Sequence, residues 1–271
     1  MSWSPAVFGI LNISEDSFSD GGRYLLPAAA VAHAEKLVAD GAAVLDLGAA
    51  ASNPDARQIS PEVEIARLAP VVATLKRKGV AISVDSFSAE VQRWALAEGV
   101  AYVNDIQGFP DAALYPTLAA ASAKLIVMHS VQQRGSATRV EVSPDEIFDR
   151  ILRFFERRIA ALEDAGVFRQ RLVLDPGMGY FLSSSPEASF VVLRRLRELK
   201  QAFGLPVLLS VSRKSFLRKI TGRGVAEAGH ATLAAELFAV FQGADYIRTH
   251  DPAALSDGLA VWRTATTRNM A

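Results

Sequence analysis

"RLVLDPGMGY" (residues 171–180) decides how the rest of the chain is read. An apolar run ends in Asp175 and then breaks at Pro176, Gly177 and Gly179. A short apolar, β-rich segment without clean alternation suits a strand buried on both faces, as in a parallel sheet. An acid at the end of such a strand stands where parallel α/β folds keep their ligand sites. Seven other segments repeat the pattern: "AVFGILN" (6–12), "AVLDLG" (43–48), "VAISVDS" (80–86), "AYVNDI" (101–106), "KLIVMHS" (124–130), "LPVLLSVS" (205–212) and "ADYIRTH" (244–250). Helical patterns separate them. "PAAAVAHAEKLVADG" begins with a proline and stops at Gly41; others stop at Gly79, Gly99 and Gly166. Proline at the first turn and glycine after the last are ordinary helix boundaries. Eight strand–helix units in one chain of 271 residues predict a closed (β/α)8 TIM barrel, with an open doubly wound sheet as the alternative. No linker or compositional shift divides the chain, which reads as one domain over residues 1–271.

Composition narrows the function. Lys plus Arg equals Asp plus Glu at 29 each, which argues against a dedicated nucleic-acid binder. There is no cysteine, so disulfides, thiolate zinc sites and a cysteine nucleophile are excluded. The N-terminus lacks a basic, apolar signal pattern and no apolar stretch is long enough for a bilayer span, so a cytoplasmic, non-membrane protein is expected. A nucleotide P-loop pattern is absent.

The ends of the expected strands are polar. They carry Asn12, Asp46, Asp85, Asn104 with Asp105, His129, Asp175, Ser212 with Arg213 and Lys214, and Arg248 with His250. A barrel gathers all of these at one mouth. So many buried acids, amides and cations need partners. The carboxylates Asp85 and Asp175 suit the N–H groups of a heterocycle such as an aminopyrimidinone. Arg213, Lys214, Arg248 and His250 are donors suited to a phosphate. Ser215 is expected to open a helix whose free N–H groups favour an anion.

"FGILNISEDSFSDGGRY", "ISVDSFSAEVQRWAL", "YVNDIQGF", "VLDPGMGY", "SVSRKSF" and "YIRTH", in this order, resemble the dihydropteroate synthases over nearly the whole chain. The resemblance implies a single pterin-binding (β/α)8 barrel, a homodimer, and Mg²⁺ as cofactor. It implies condensation of hydroxymethyl-dihydropterin pyrophosphate with p-aminobenzoate, releasing pyrophosphate, in folate synthesis. Carried over residue by residue, it gives Asp85, Asn104, Asp175 and Lys214 to the pterin. Asn12, Arg248 and His250 go to the pyrophosphate, with Asn12 also at the metal. Phe18, Ser52, Pro54, Phe181 and Ser215 go to p-aminobenzoate. Asp85, Asp175, Lys214, Arg248 and His250 are the implied catalytic set, and loop 14–24, with Asp16 near the cation, would close over the site. A pterin-binding methyltransferase acting on a corrinoid protein is the alternative enzyme, and a non-catalytic pterin carrier the alternative of another class. The intact cation set favours the synthase over both.

Three segments depart from the family's usual pattern. "AAASNPDA" (49–56) stands where Gly-Glu-Ser-Thr-Arg-Pro-Gly is usual, with Ala50 for the acid, Ser52 for threonine and Asn53 for arginine. Tyr180-Phe181-Leu182 follows the DPG motif, and "MHSVQQRG" follows the fifth strand. These departures resemble the sulfonamide-resistance branch of the family. Phe181 is the expected wedge, rejecting a drug whose sulfonyl substituent projects beyond the true substrate. His33 and His230, in or beside helices, are expected to have no chemical role. The Phe pairs of "RILRFFERRIAAL" and "FVVLRRLRELKQAF" are expected to pack amphipathic helices against the barrel.

Overall fold

The structure, a computed structural model, describes residues 4–13, 27–52, 54, 58–132 and 135–266. The strands are β1 (Ala6–Asn12), β2 (Val44–Gly48), β3 (Ile82–Asp85), β4 (Tyr102–Asp105), β5 (Lys124–Met128), β6 (Leu172–Asp175), β7 (Leu208–Leu209) and β8 (Tyr246–Thr249). They pair in parallel in the order β6-β5-β4-β3-β2-β1-β8-β7. A parallel bridge between Leu174 and Val207 joins β6 to β7 and closes the barrel. The helices are α1 (Pro27–Ala39), α2 (Pro61–Arg77), α3 (Ala89–Ala97), α4 (Tyr115–Ala120), α5 (Pro144–Asp164), α6 (Pro186–Arg194), α7 (Leu196–Phe203), α8 (Ser215–Thr221), α9 (Gly229–Phe241) and α10 (Pro252–Thr266). The expected TIM barrel is therefore observed.

Two elements differ from the sequence reading. The segment 205–212 shrinks to the two residues of β7. Pro206 has no N–H to give the ladder, and the Val207 N–H donates to the Asp245 side chain at 2.9 Å instead of to β6. The stretch "FVVLRRLRELKQAF" is split between α6 and α7 at Arg195 (φ −100, ψ 13). The Arg195 guanidinium lies 3.8 Å from the Phe148 ring centroid and donates to Glu198, which fastens the break onto α5.

Helix α5 shows why the outer shell forms. Its buried residues, Ile147, Phe148, Ile151, Phe155, Ile159 and Leu162, recur at three- and four-residue spacing and make one apolar stripe. Proline occupies its first turn, and the Ser143 hydroxyl accepts from the Asp145 N–H. The Phe pairs do pack as expected, with Phe155 5.3 Å from Phe154 and 5.8 Å from Phe203.

The barrel interior is layered by the two-residue period of its strands. The lower layer is apolar: Phe8, Val44, Ile126, Val173 and Leu208 pack with Tyr102 and Tyr246. The Phe8 ring meets Tyr102 edge-on at 5.0 Å and Tyr246 at 5.4 Å. Two residues further along the same and neighbouring strands the layer turns polar. Asp46, Ser83, Asn104, Asp175, Ser210 and Arg248 are all buried there. The aromatic plug thus closes one end and forms a dry floor under the polar layer. Phe8→Ala opens a hole in that plug and is expected to lower the unfolding free energy by about 3–5 kcal/mol, read from urea denaturation. A loss below about 1 kcal/mol, the range of ordinary surface substitutions, would show that the interior is not packed around this ring.

Candidate active site

The opening motif makes a rigid turn. The Asp175 Oδ1 accepts the Gly177 N–H at 2.8 Å. Gly177 has a φ of +73°, and a Cβ there would sit 2.4 Å from the His129 carbonyl oxygen. Only glycine fits this crossing. His129 donates from Nδ1 to the Pro176 carbonyl at 3.1 Å and meets Phe154 edge-on. Burial lowers its pKa to about 4, so it is a neutral structural group. Tyr180 and Phe181 follow in a tight 3-10 turn, Gly179–Phe181. Phe181 is buried with Ile106, Met128 and Ala137, against Phe87 and Tyr180, on the barrel mouth. Asp105, beside Asn104, is likewise structural. Its two carboxylate oxygens accept the N–H groups of Gln107 and Phe109, each at 2.8 Å.

At the centre of the polar layer, Arg248 donates from Nη1 to Asp46 Oδ2 at 2.7 Å and to Asp85 Oδ2 at 3.0 Å. Burial opposes its charge, but Asp46, Asp85 and Asp175 together hold it above the usual arginine range. Burial pushes the Asp85 carboxyl up to about 7 against the pull of Arg248. Asp175 is raised by burial too, with Arg248, the Gly177 N–H and Lys214 opposing. Among the described residues several buried atoms of this layer have no hydrogen-bond partner: Asp175 Oδ2, both amide atoms of Asn104, Asp46 Oδ1, Ser83 Oγ and Arg248 Nε. Each such atom costs about 1–3 kcal/mol if left so. Acceptors and donors presented together match a flat heterocycle with N–H and carbonyl groups on its rim.

Above this layer opens a cavity of about 1030 Å³. Its walls include Asn12, Ser52, Pro54, Asp85, Phe181, Lys214, Ser215 and His250. Asn104, Asp175 and Arg248 are not on these walls; they lie inside the barrel, where Arg248 reaches Asp85. Phe18 and Asp16 lie outside the described residues, as do Asn53 and the whole of loop 14–24. Of the described positions, eight thus share the cavity wall and three lie buried in the layer beneath it. Phe181 faces the cavity rather than the outside of the barrel.

Lys214 sits with its ammonium 4.7 Å from the Phe181 ring centroid. Burial, helped by Arg248, lowers its pKa to about 8, against the pull of Asp175 and Asp85. The preceding residue, Arg213, has a φ of +58°. That conformation costs a residue with a Cβ roughly 1–2 kcal/mol. Ser215 opens α8 as expected. His250, read as one of the cations, is instead neutral: burial and then Arg213, Arg248 and Lys214 lower its pKa to about 3. Its backbone N–H donates to Ser212 Oγ at 3.2 Å, and the same hydroxyl meets Nδ1 at 2.9 Å. The Ser212 hydroxyl therefore fixes both the backbone and the ring of His250, with the direction of the ring bond set by which nitrogen carries the proton.

Sequence reasoning gave no role to Asp46, which lies in the middle of β2, whereas Asp85 ends β3. His33, discounted as a helix histidine, lies on the cavity wall, as do Arg139 and Arg218. Arg218 had a signal, because it is three residues after Ser215 and shares its helix face. His33 and Arg139 had none. The described residues contain no cluster of three His, Asp or Glu side chains that could hold a metal ion.

The chain matches the pterin binding enzymes over residues 8–250. It is 61% identical to the type-2 dihydropteroate synthase of Escherichia coli, over 96% of this chain and 96% of that one. Among solved structures it resembles the Xanthomonas albilineans dihydropteroate synthase with 4-aminobenzoic acid, at 35% identity and a TM-score of 0.88 over 97% of this chain and 94% of the other. The same enzyme in complex with 7,8-dihydropteroate gives 34% identity and a TM-score of 0.85, with the same coverage of both chains. A buried carboxylate–amide layer beneath a cation-lined cavity, in a barrel that follows these enzymes from end to end, makes the chain a member of the pterin-binding enzyme family, in its dihydropteroate synthase group.

Proposed function

We propose that the chain joins 6-hydroxymethyl-7,8-dihydropterin pyrophosphate to p-aminobenzoate, giving 7,8-dihydropteroate and pyrophosphate. The observation that carries this reading is the set of buried, unpartnered atoms of Asp175 and Asn104 under the cavity. Asp175 Oδ2 takes N–H donors of the pterin rim, Asn104 offers both a donor and an acceptor, and Lys214 reaches a ring carbonyl or nitrogen. As the bond between the pterin methylene and the diphosphate oxygen breaks, positive charge builds on the methylene and spreads into the ring. Asp46, Asp85 and Asp175 favour that charge, and Arg248 and His250 favour the anion that leaves. Fixed charges placed where charge develops lower the barrier without reorganisation. The arylamine nitrogen forms the new bond and gives up a proton to solvent. It needs no activated side chain.

Mg²⁺ is part of the proposal as a partner of the diphosphate. Magnesium keeps several waters and commonly takes substrate phosphate oxygens with few protein ligands. The amide oxygen of Asn12 on the cavity wall fits that limited role, and the ion would neutralise charge on the leaving group. Ser52, Pro54, Phe181 and Ser215 line the part of the cavity assigned to p-aminobenzoate, with the Ser215 hydroxyl available to its carboxylate. A homodimer is proposed through the exposed apolar face of α9 and α10. There Phe241 is 53% and Val261 70% exposed, and Phe241 meets Trp262 at 5.9 Å.

The direct test is pyrophosphate release from the two substrates with Mg²⁺. Turnover is expected for the native chain, and Asp175→Asn should reduce kcat/KM by about 10²-fold or more, the order seen when one fixed electrostatic group is removed. Corrinoid methylation without pyrophosphate release would favour the methyltransferase, and binding without turnover the carrier. The acid–base behaviour adds a second test. Asp85 must be ionised and Lys214 protonated, so kcat/KM should fall as pH drops below about 7 and again as it rises above about 8. Asp85→Asn should abolish the acidic limb in whatever activity remains; an unchanged limb would remove Asp85 from the scheme.

Sulfonamide insensitivity is proposed through Phe181, whose ring narrows the cavity beside Lys214. Phe181→Gly should raise sensitivity to sulfamethoxazole at least tenfold, because a clash is removed. Turnover should drop by about 2- to 30-fold, since the loss is one cation–π contact of about 0.5–2 kcal/mol. An unchanged inhibition constant would take Phe181 out of the account.

A further inference from the structure

Among the described non-glycine residues, Phe109 and Arg213 have a positive φ, 61° and 58°. Both backbone N–H groups are held by a buried side chain. Phe109 donates to Asp105 Oδ2 at 2.8 Å. Arg213 donates to Thr232 Oγ1, on α9, at 3.0 Å. Thr232 is 5% exposed, and its hydroxyl does not cap α9, whose N-cap residue is Ala228. One turn further along the helix, Glu236 is buried beside Thr249, the residue before His250. Helix α9 therefore turns two polar side chains toward the loops that present Lys214 and His250.

We propose that Thr232 is a positioning residue for Lys214. The hydroxyl fixes the Arg213 N–H, the left-handed turn at Arg213 follows, and the turn sets the direction in which Lys214 leaves the backbone. The Lys214 N–H then closes onto the Val211 carbonyl at 3.1 Å. Its side chain packs on Gly179, where an added Cβ would lie 3.5 Å from Lys214 Cδ, and ends beside the Phe181 ring. Without the clamp, Arg213 relaxes toward negative φ, and the ammonium leaves the place where it meets the pterin. The role of Lys214 toward the pterin rests on the proposed function; the clamp itself does not.

Thr232→Val keeps shape and removes the acceptor, whereas Thr232→Ser keeps the acceptor. Thr232→Val is expected to lower kcat/KM for the pterin pyrophosphate about tenfold, the scale of one buried hydrogen bond, and Thr232→Ser to stay within about twofold of the native chain. Arg213→Gly supplies a residue that takes positive φ unaided, so in that background Thr232→Val should cost less than about twofold. Equal losses in Val and Ser variants, or the same loss in both backgrounds, would show that Thr232 only supports the fold. A crystal structure of Thr232→Val separates this inference from the activity. The Arg213 turn should be altered and the Lys214 ammonium displaced from Phe181; a lysine still beside that ring would overturn the inference even in a fully active enzyme.

Discussion

The site depends on one buried cation. Arg248 is held by Asp46 and Asp85 in the barrel interior, and neither charge could stay there alone. Asp175 adds a third carboxylate to the same field. Arg248 and Lys214 together do not balance three carboxylates, so the interior keeps an excess of negative charge when all are ionised. Burial supplies most of the upward pressure on Asp85 and Asp175, with Asp46 adding to it, and a ring gaining positive charge would relieve that excess. The same imbalance that makes the site costly without a ligand selects the charge type of the transition state.

The charge pattern also gives the cavity a direction. Below lie carboxylates and an amide; on the walls above lie Arg213, Lys214, Arg218 and the neutral His250. A substrate with a nitrogen-rich ring at one end and an anionic tail at the other is oriented before any chemistry begins. Lys214 stands at the boundary, attracted by Asp175 and Asp85 from beneath and flanked by the Phe181 ring. On the proposed function Phe181 would touch two roles at once, shaping the space for the second substrate and supporting the cation that meets the first, so substitutions there would trade selectivity against binding.

Much of this was legible in the sequence, for a physical reason. Parallel strands buried on both faces cannot hide polar residues along their length, so polar side chains collect at strand ends. Asn12, Asp85, Asn104, Asp175, Lys214 and Arg248 could be found by that rule alone. Asp46 breaks it, lying in the middle of β2, and the partner that explains it lies 202 residues away. Thr232 could not have been found, because it is one ordinary threonine in an apolar helix and its meaning lies in the backbone angle of Arg213. The short β7 was hidden for a related reason: the Asp245 side chain takes the Val207 N–H, and no local pattern announces that. His250 was read as a charge because its burial among arginines and a lysine is a property of three dimensions.

The two clamps on positive-φ residues give the same lesson at the level of energy. A left-handed turn at a residue with a side chain is unfavourable on its own, and a buried N–H without an acceptor is unfavourable as well. Asp105 on Phe109 and Thr232 on Arg213 answer both problems with one hydrogen bond. Glycine at 213 would have removed the strain but also the guanidinium that lines the cavity. The barrel instead keeps arginine and places the compensating hydroxyl on a helix packed behind the strand. On the proposed role of Thr232, part of the precision at the mouth is supplied from a helix outside the strands.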